Sequence, residues 1–197
     1  MNSNLQIISG RWRGKKLHLP SDARPTQNKA RIALFNILGT EDSGLGTKAQ
    51  FQSLVTGPQP RIIWDAFAGS GAFGLECLSR WSDATAIFTD TSPDSIKTIK
   101  KNLADLHGAN AAIAQTDAIA AIKKYGAAAD LIFIDPPYSG AATGVEFVRQ
   151  LAAVAKPGAI LIWEMEKDFT PPKPPENLKI LKEKIYGRAR FLIMTNQ

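Results

Sequence analysis

From Arg61 to Gly74 the chain reads RIIWDAFAGSGAFG. Its opening apolar run, rich in β-branched and aromatic side chains, predicts a strand over 61–64 that ends at Asp65. Gly69, Gly71 and Gly74 then stand in G-x-G-x-x-G spacing, and a helix is predicted from there to about residue 81. Glycines at a strand-to-helix turn let a ligand approach the peptide groups closely. Phe67 lies in the same turn. Taken alone, this pattern suits a dinucleotide as well as any other nucleotide-bearing ligand.

Outward from this stretch the pattern repeats. Residues 86–89 predict a second strand closed by Asp90, nineteen residues beyond Gly71, where an acid can accept hydrogen bonds from ribose hydroxyls. Thr91 follows, and Ser92 with Pro93 caps a helix carrying Ile96, Ile99, Leu103 and Leu106, stopped by Gly108. Residues 112–115 read as a third strand, and Asp117, next to Ala118, opens another helix. Residues 131–134 (LIFI) form the fourth strand. A helix over about 145–155 leads to a fifth strand at 159–163, and 178–185 with 189–194 read as a hairpin turning near Gly187. Alternating strands and helices imply an α/β fold: a doubly wound, mostly parallel sheet with a C-terminal antiparallel hairpin. Ligands in such sheets sit beyond the carboxyl ends of the strands, where Asp65, Asp90, Asp117 and Asp135 all fall. Four carboxylates around one mouth would repel a pyrophosphate. They suit a ligand that is cationic at sulfur and amine and carries a ribose, as S-adenosylmethionine does.

The fourth strand empties into Asp135, Pro136, Pro137 and Tyr138. The prolines fix φ and withhold N–H groups, so the turn cannot continue the sheet. It offers a carboxylate, free carbonyls and an aromatic face, a set that suits a planar base bearing an exocyclic amine. Such an amine is a poor nucleophile, and hydrogen bonds that strengthen as its nitrogen becomes tetrahedral favour the transition state.

The 197 residues are 44% hydrophobic and 21% charged, which fits one globular domain with a sizeable core. No apolar run approaches the roughly 20 residues of a membrane span, and the N-terminus lacks a signal peptide's apolar region. One cysteine, Cys77, and two histidines give no support to a disulfide or a metal site. The expectation is a cytoplasmic monomer that binds neither membrane nor metal.

The net charge of +6 is uneven. Residues 1–38 hold seven basic groups, among them Arg11, Arg13, Lys15, Lys16, Arg24 and Arg31, against the single acid Asp22. A concentrated basic segment on an otherwise neutral chain points to a polyanion. Residues 5–9 and 16–19 read as two short strands around a turn presenting Arg11, Trp12 and Arg13. Trp12 either stacks on a base or lids a small core. Thr26 is placed to cap a helix bearing Ile32, Phe35 and Leu38, ending at Gly39. Three regions result: a basic extension over 1–38, a long loop over 39–60 with room for a short helix at 49–54, and an α/β domain over 61–197.

With these motifs in this order, the chain resembles Rossmann-like, S-adenosylmethionine-dependent methyltransferases that act on exocyclic amines of bases. The stretches IISGRWRGKKLHLP and RPTQNKARIALFNIL narrow the likeness to the RsmD family, which methylates guanine N2 in small-subunit (16S) ribosomal RNA. The resemblance implies that Asp65, Gly69 and Gly71 hold the methionine end of the cofactor, Asp90 the ribose and Asp117 the adenine amine. Phe67, Thr91 and Ala118 join the cofactor-binding set. Asp135 to Tyr138 would hold the target guanine, and the basic extension, with Thr26, the RNA. The ribosomal RNA or the small subunit is the implied partner. Two alternatives remain: an adenine-N6 DNA methyltransferase, and a non-catalytic RNA-binding or ribosome-assembly module.

Overall fold

The computed structural model describes residues 5–21, 28–39, 59–137 and 141–197. Helix α1 spans Asn28–Gly39. The sheet region then runs β1 (Ile62–Asp65), α2 (Ala72–Arg80), β2 (Thr85–Asp90), α3 (Pro93–Ala104), β3 (Asn110–Gln115), α4 (Ala118–Tyr125), β4 (Leu131–Ile134), α5 (Ala141–Ala152), β5 (Ile160–Glu166), β6 (Leu178–Tyr186) and β7 (Ala189–Asn196). The seven strands form one sheet in the order β3-β2-β1-β4-β5-β7-β6. β1 to β5 are parallel, and β7 lies antiparallel between β5 and β6. The chain leaves β1 toward β2 and β3, then returns to β4 on β1's other side. The sheet therefore has its switch point between β1 and β4, beside the loop of residues 66–71.

Strand alternation divides the apolar residues between two layers. Trp64, Ile132, Ile134, Leu161 and Trp163 pack against Ala121, Ile122, Phe147, Val148 and Leu151 of α4 and α5. Ile63, Phe88, Leu131, Phe133, Ile160 and Ile162 face the other way, onto α1, α2, Ile99 of α3 and the N-terminal segment. Leu5, Ile7 and Leu17 are buried in that second layer. The two N-terminal strands expected from sequence reduce to a single bridge between Gln6 and Lys16. Backbone hydrogen bonds from Ile7 N to Lys15 O and from Leu17 N to Leu5 O, both 2.9 Å, flank it.

Helix α5 starts at Ala141, ahead of the expected 145. Gly144 lies inside the helix, where a Cβ would come within 2.8 Å of the Trp163 ring, so the helix packs this closely on β5 only through glycine. β3 begins at Asn110, two residues early, because it pairs along the whole of β2. β5 continues to Glu166, paired with Ala189. Most of the predicted 39–60 loop, with its short helix, lies outside the described residues. No helix among the described residues is long and apolar enough to cross a membrane.

Candidate functional site

Asp65 ends β1 with its side chain buried. Its Oδ2 accepts a hydrogen bond from the Gly74 N–H at 3.0 Å, tying the strand end to the first turn of α2. Burial pushes this carboxyl well above the usual carboxylate range. The Gly74 N–H pulls it back, and the charges of Asp135 and Asp90 raise it further.

The loop between them is anchored on both sides. Ala66 N donates to Phe133 O of β4, and Ala68 N to Thr89 O of β2. The Thr89 hydroxyl donates to Ala66 O at 2.8 Å and accepts from the Trp64 indole N–H at 3.0 Å. Gly69 has φ 52 and a virtual Cβ that meets nothing within 4 Å, so this glycine faces open space in a conformation other residues rarely adopt. Gly74 serves packing instead: a Cβ there would lie 2.4 Å from Phe88 Cε1, so the helix can approach β2 only through glycine. Phe67 is half-buried, its ring edge-on to Phe147 at 5.4 Å.

Asp90 shapes the same loop. Its Oδ2 accepts from Gly69 N and its Oδ1 from Ser92 N, both at 2.8 Å. Each oxygen of a carboxylate can take a second hydrogen bond, so these contacts orient the group for a further donor. Thr91 is exposed next to it. Asp117 caps α4, with Oδ1 accepting from Ala120 N at 3.0 Å, and is exposed; Ala118 is buried beneath it.

Asp135 is half-buried past the end of β4, Pro136 buried and Pro137 exposed, while Tyr138 lies outside the described residues. The parallel pairing of Ile134 with Trp163 puts Asp135 beside Glu164, the next residue of β5. Burial first, and the Asp135 charge second, push the Glu164 carboxyl well above the usual range. Sequence reasoning misses Glu164. The available signal is alternation: it shares the face of Ile160 and Ile162 but lies past the apolar run. On this face Phe133 stacks on Phe73 at 4.1 Å and Phe73 on Phe35 at 5.3 Å, forming an aromatic layer behind the carboxyls.

These residues fit a cationic, ribose-bearing guest. Asp65 and Glu164 are held against their own ionisation by burial and by like charge, which a positive ligand relieves. Gly69 leaves space at the loop, and Asp90 is oriented there. Among the described residues no group of three or more His, Cys, Asp or Glu could hold a metal ion.

The basic extension divides. Arg11, Arg13, Lys15 and Lys16 are exposed. Arg31 corrects the sequence reading: it is buried, and its guanidinium donates to Ala72 O at 3.0 Å and to Gln6 O, so it braces α1 against α2 and the N-terminal segment. Trp12 is half-buried against the core with the Arg11 guanidinium 5.2 Å above its ring, which favours the lid over a free stacking surface. Arg24 and Thr26 lie outside the described residues.

The family model described as conserved hypothetical protein 95 matches residues 5–195. An Escherichia coli protein named ribosomal RNA small subunit methyltransferase D is 30% identical, over 96% of this chain and 89% of its own. The Haemophilus influenzae protein of the same name is also 30% identical, over 98% and 94%. A solved Escherichia coli structure, "Putative methyltransferase yhhF", aligns with a TM-score of 0.75 at 29% identity, covering 98% of this chain and 97% of that one.

Proposed function

The chain belongs to the RsmD-type family described as conserved hypothetical protein 95, and from that premise we propose that it methylates the exocyclic N2 amine of a guanine in small-subunit ribosomal RNA, with S-adenosylmethionine as donor. The observation that carries this reading is the mouth at the β1/β4 switch point, where Asp65, Asp90 and Asp135 converge beside the open Gly69 turn.

Bound there, the cofactor supplies an electrophilic methyl group and a neutral thioether as leaving group. Asp65 and the 66–71 loop hold its methionine end, Asp90 its ribose, and the Asp117–Ala118 turn its adenine. The Asp135 carboxylate and the Pro136 carbonyl accept the two amine hydrogens and aim the nitrogen lone pair, while Tyr138 stacks on a guanine turned out of its helix. Methyl transfer from the bound donor would leave the amine nitrogen with a positive charge and a surplus proton. One proton then leaves it for Asp135 or for water, and no covalent enzyme intermediate is needed. Positioning supplies much of the acceleration.

Labelled S-adenosylmethionine offered with naked small-subunit rRNA, assembled small subunits or DNA, followed by digestion to nucleosides, tests this. N2-methylguanine from either RNA substrate is expected. Label in N6-methyladenine of DNA, or in no nucleoside at all, overturns it.

A further inference from the structure

The N-terminal segment crosses the molecule from end to end. Its tip docks at the far end of α2 from the mouth: Arg11 N donates to Ser79 O at 2.7 Å and Trp12 N to the Ser79 hydroxyl at 2.9 Å. Gly10, at φ 84, is obligatory there, since a Cβ would lie 1.9 Å from Ser79 O. From the tip the chain climbs along α3. Lys15 pairs with Asp105 at 4.0 Å; His18 N donates to Asn102 Oδ1 at 2.7 Å; and Ser21 N donates to Asp94 Oδ2 at 2.6 Å. Asp94 sits at the mouth end of α3, four residues after Asp90, so residues 15–21 follow the helix's whole length, about 18 Å at 1.5 Å per residue.

That course leaves one face of α3 free. Ser95, Ile96, Thr98, Ile99 and Asn102 are buried, whereas Lys97, Lys100 and Lys101 are exposed. Spaced by three and four residues, the lysines form a single patch. Lys97 lies close enough to help hold the Asp94 carboxyl below its usual range, behind two hydrogen bonds from Ser21. The patch therefore borders the line along which the N-terminal segment packs. Residues 9–21 and 93–107 together hold seven lysines and arginines against two carboxylates, Asp94 and Asp105. Both carboxylates are already engaged, by Ser21 and by Lys15.

We propose that the lysine face of α3, with the hairpin tip, is the phosphate-binding surface along which the RNA backbone runs from the base of the molecule to the catalytic mouth. The chemistry is that of a polyanion spaced along a line. The three α3 lysines, spread over about 6 Å at 1.5 Å per residue, and the basic groups of the tip contact phosphates along that line without reading sequence. Choice of the guanine is left to the Asp135 turn. This proposal rests on the RNA substrate assigned above and adds a surface that the local sequence excess over 1–38 did not indicate.

The test compares wild type with Lys97→Ala/Lys100→Ala/Lys101→Ala and with Lys123→Ala/Lys124→Ala on α4, the opposite face of the sheet. Affinity and turnover are measured against salt on both naked small-subunit rRNA and assembled small subunits. S-adenosylhomocysteine binding and thermal melting serve as controls for folding. The α3 variant is expected to bind RNA more weakly, with the salt slope reduced by about 0.7–0.9 for every phosphate it no longer holds, and to retain kcat at saturating RNA. The α4 variant should match wild type. Unchanged affinity and slope in a folded α3 variant, or an equal loss in the α4 variant, overturns the surface and leaves the methyltransferase reading intact. A wild type that binds RNA through the α3 lysines but methylates none overturns the activity alone. A wild type that binds no RNA overturns both.

Discussion

Asp65 and Glu164 have carboxyls whose protonated forms the fold favours, because burial and neighbouring acids oppose their charge. An acid whose pKa is raised by folding binds its proton more tightly in the native state than in the unfolded chain. Its contribution is most favourable below the unfolded value and is lost as pH climbs through the window up to the folded value. Glu164→Gln removes one such group without removing its volume. The variant should melt higher than wild type at pH 8, and the gap should close toward pH 4, below the ordinary glutamate value of 4.5. Each 1 kcal/mol is worth about 2–4 °C in a chain of this size. Parallel melting curves for the two proteins across that range would show that Glu164 is not held against its charge. Asp135 differs in kind: it is half-buried at the end of β4, in the turn suited to the base. Asp135→Ala should abolish turnover and leave the affinity for S-adenosylhomocysteine, read by calorimetry, within about threefold of wild type, a change of under about 1 kcal/mol. A large loss of affinity would move Asp135 to the cofactor side of the site.

Helix α2 serves both ends of the molecule. Its first turn ties down Asp65 through Gly74, and its middle presents Glu76, fully buried, to the N-terminal segment. The Glu76 carboxylate accepts from Ile8 N at 2.7 Å, Ser9 N at 3.0 Å and Arg80 Nε at 2.7 Å. Glu76→Leu strips all three donors of their acceptor. It should cost about 3–5 kcal/mol, the scale for breaking a buried charge pair, whereas Glu76→Gln, which keeps one acceptor, should cost less. Denaturant unfolding measures both, and a leucine variant within about 1 kcal/mol of wild type would mean the anchor is no stronger than an ordinary hydrogen bond. Local patterns could not disclose this anchor. The strand–glycine–helix punctuation, the carboxylates at strand ends and the Ser92 cap all depend on neighbours in sequence, and they are legible there. Glu76 acts on residues 67 and 68 positions away, and Arg31 on Ala72, 41 away. A buried charge with remote partners reads, in sequence, like a surface charge. Arg31 accordingly reads as one more RNA-binding group, nothing local marks out Glu76, and Glu164 shows only as a charge on the face of Ile160 and Ile162 past the apolar run.

At the scale of the molecule, the basic hairpin tip and the carboxylate-lined mouth lie at opposite ends of the parallel sheet. Helix α2 separates them by its nine residues, about 14 Å, and α3 by its twelve, about 18 Å. A substrate held by both must bridge that length, so the contribution of the tip should depend on how much RNA is present. Arg13 and Lys16 are exposed on the tip, and reversing both to glutamate should raise KM for full-length small-subunit rRNA while leaving kcat and S-adenosylhomocysteine affinity unchanged. The salt slope of binding should fall by about 0.7–0.9 for each phosphate set free. The advance of about 3.4 Å per nucleotide in a stacked duplex roughly doubles, to about 6 Å, in an extended single strand, so about three to five nucleotides cover the distance and a dinucleotide, with its one linking phosphate, cannot. On a dinucleotide containing guanine, forced to turn over at high concentration, wild type and the reversed variant should therefore perform alike. If the variant loses equally on both substrates, its tip acts through the fold or through the field at the mouth, not by gripping distant phosphates. If it loses on neither, the basic excess of the N-terminal segment is a solvated face, and recognition belongs to the mouth alone.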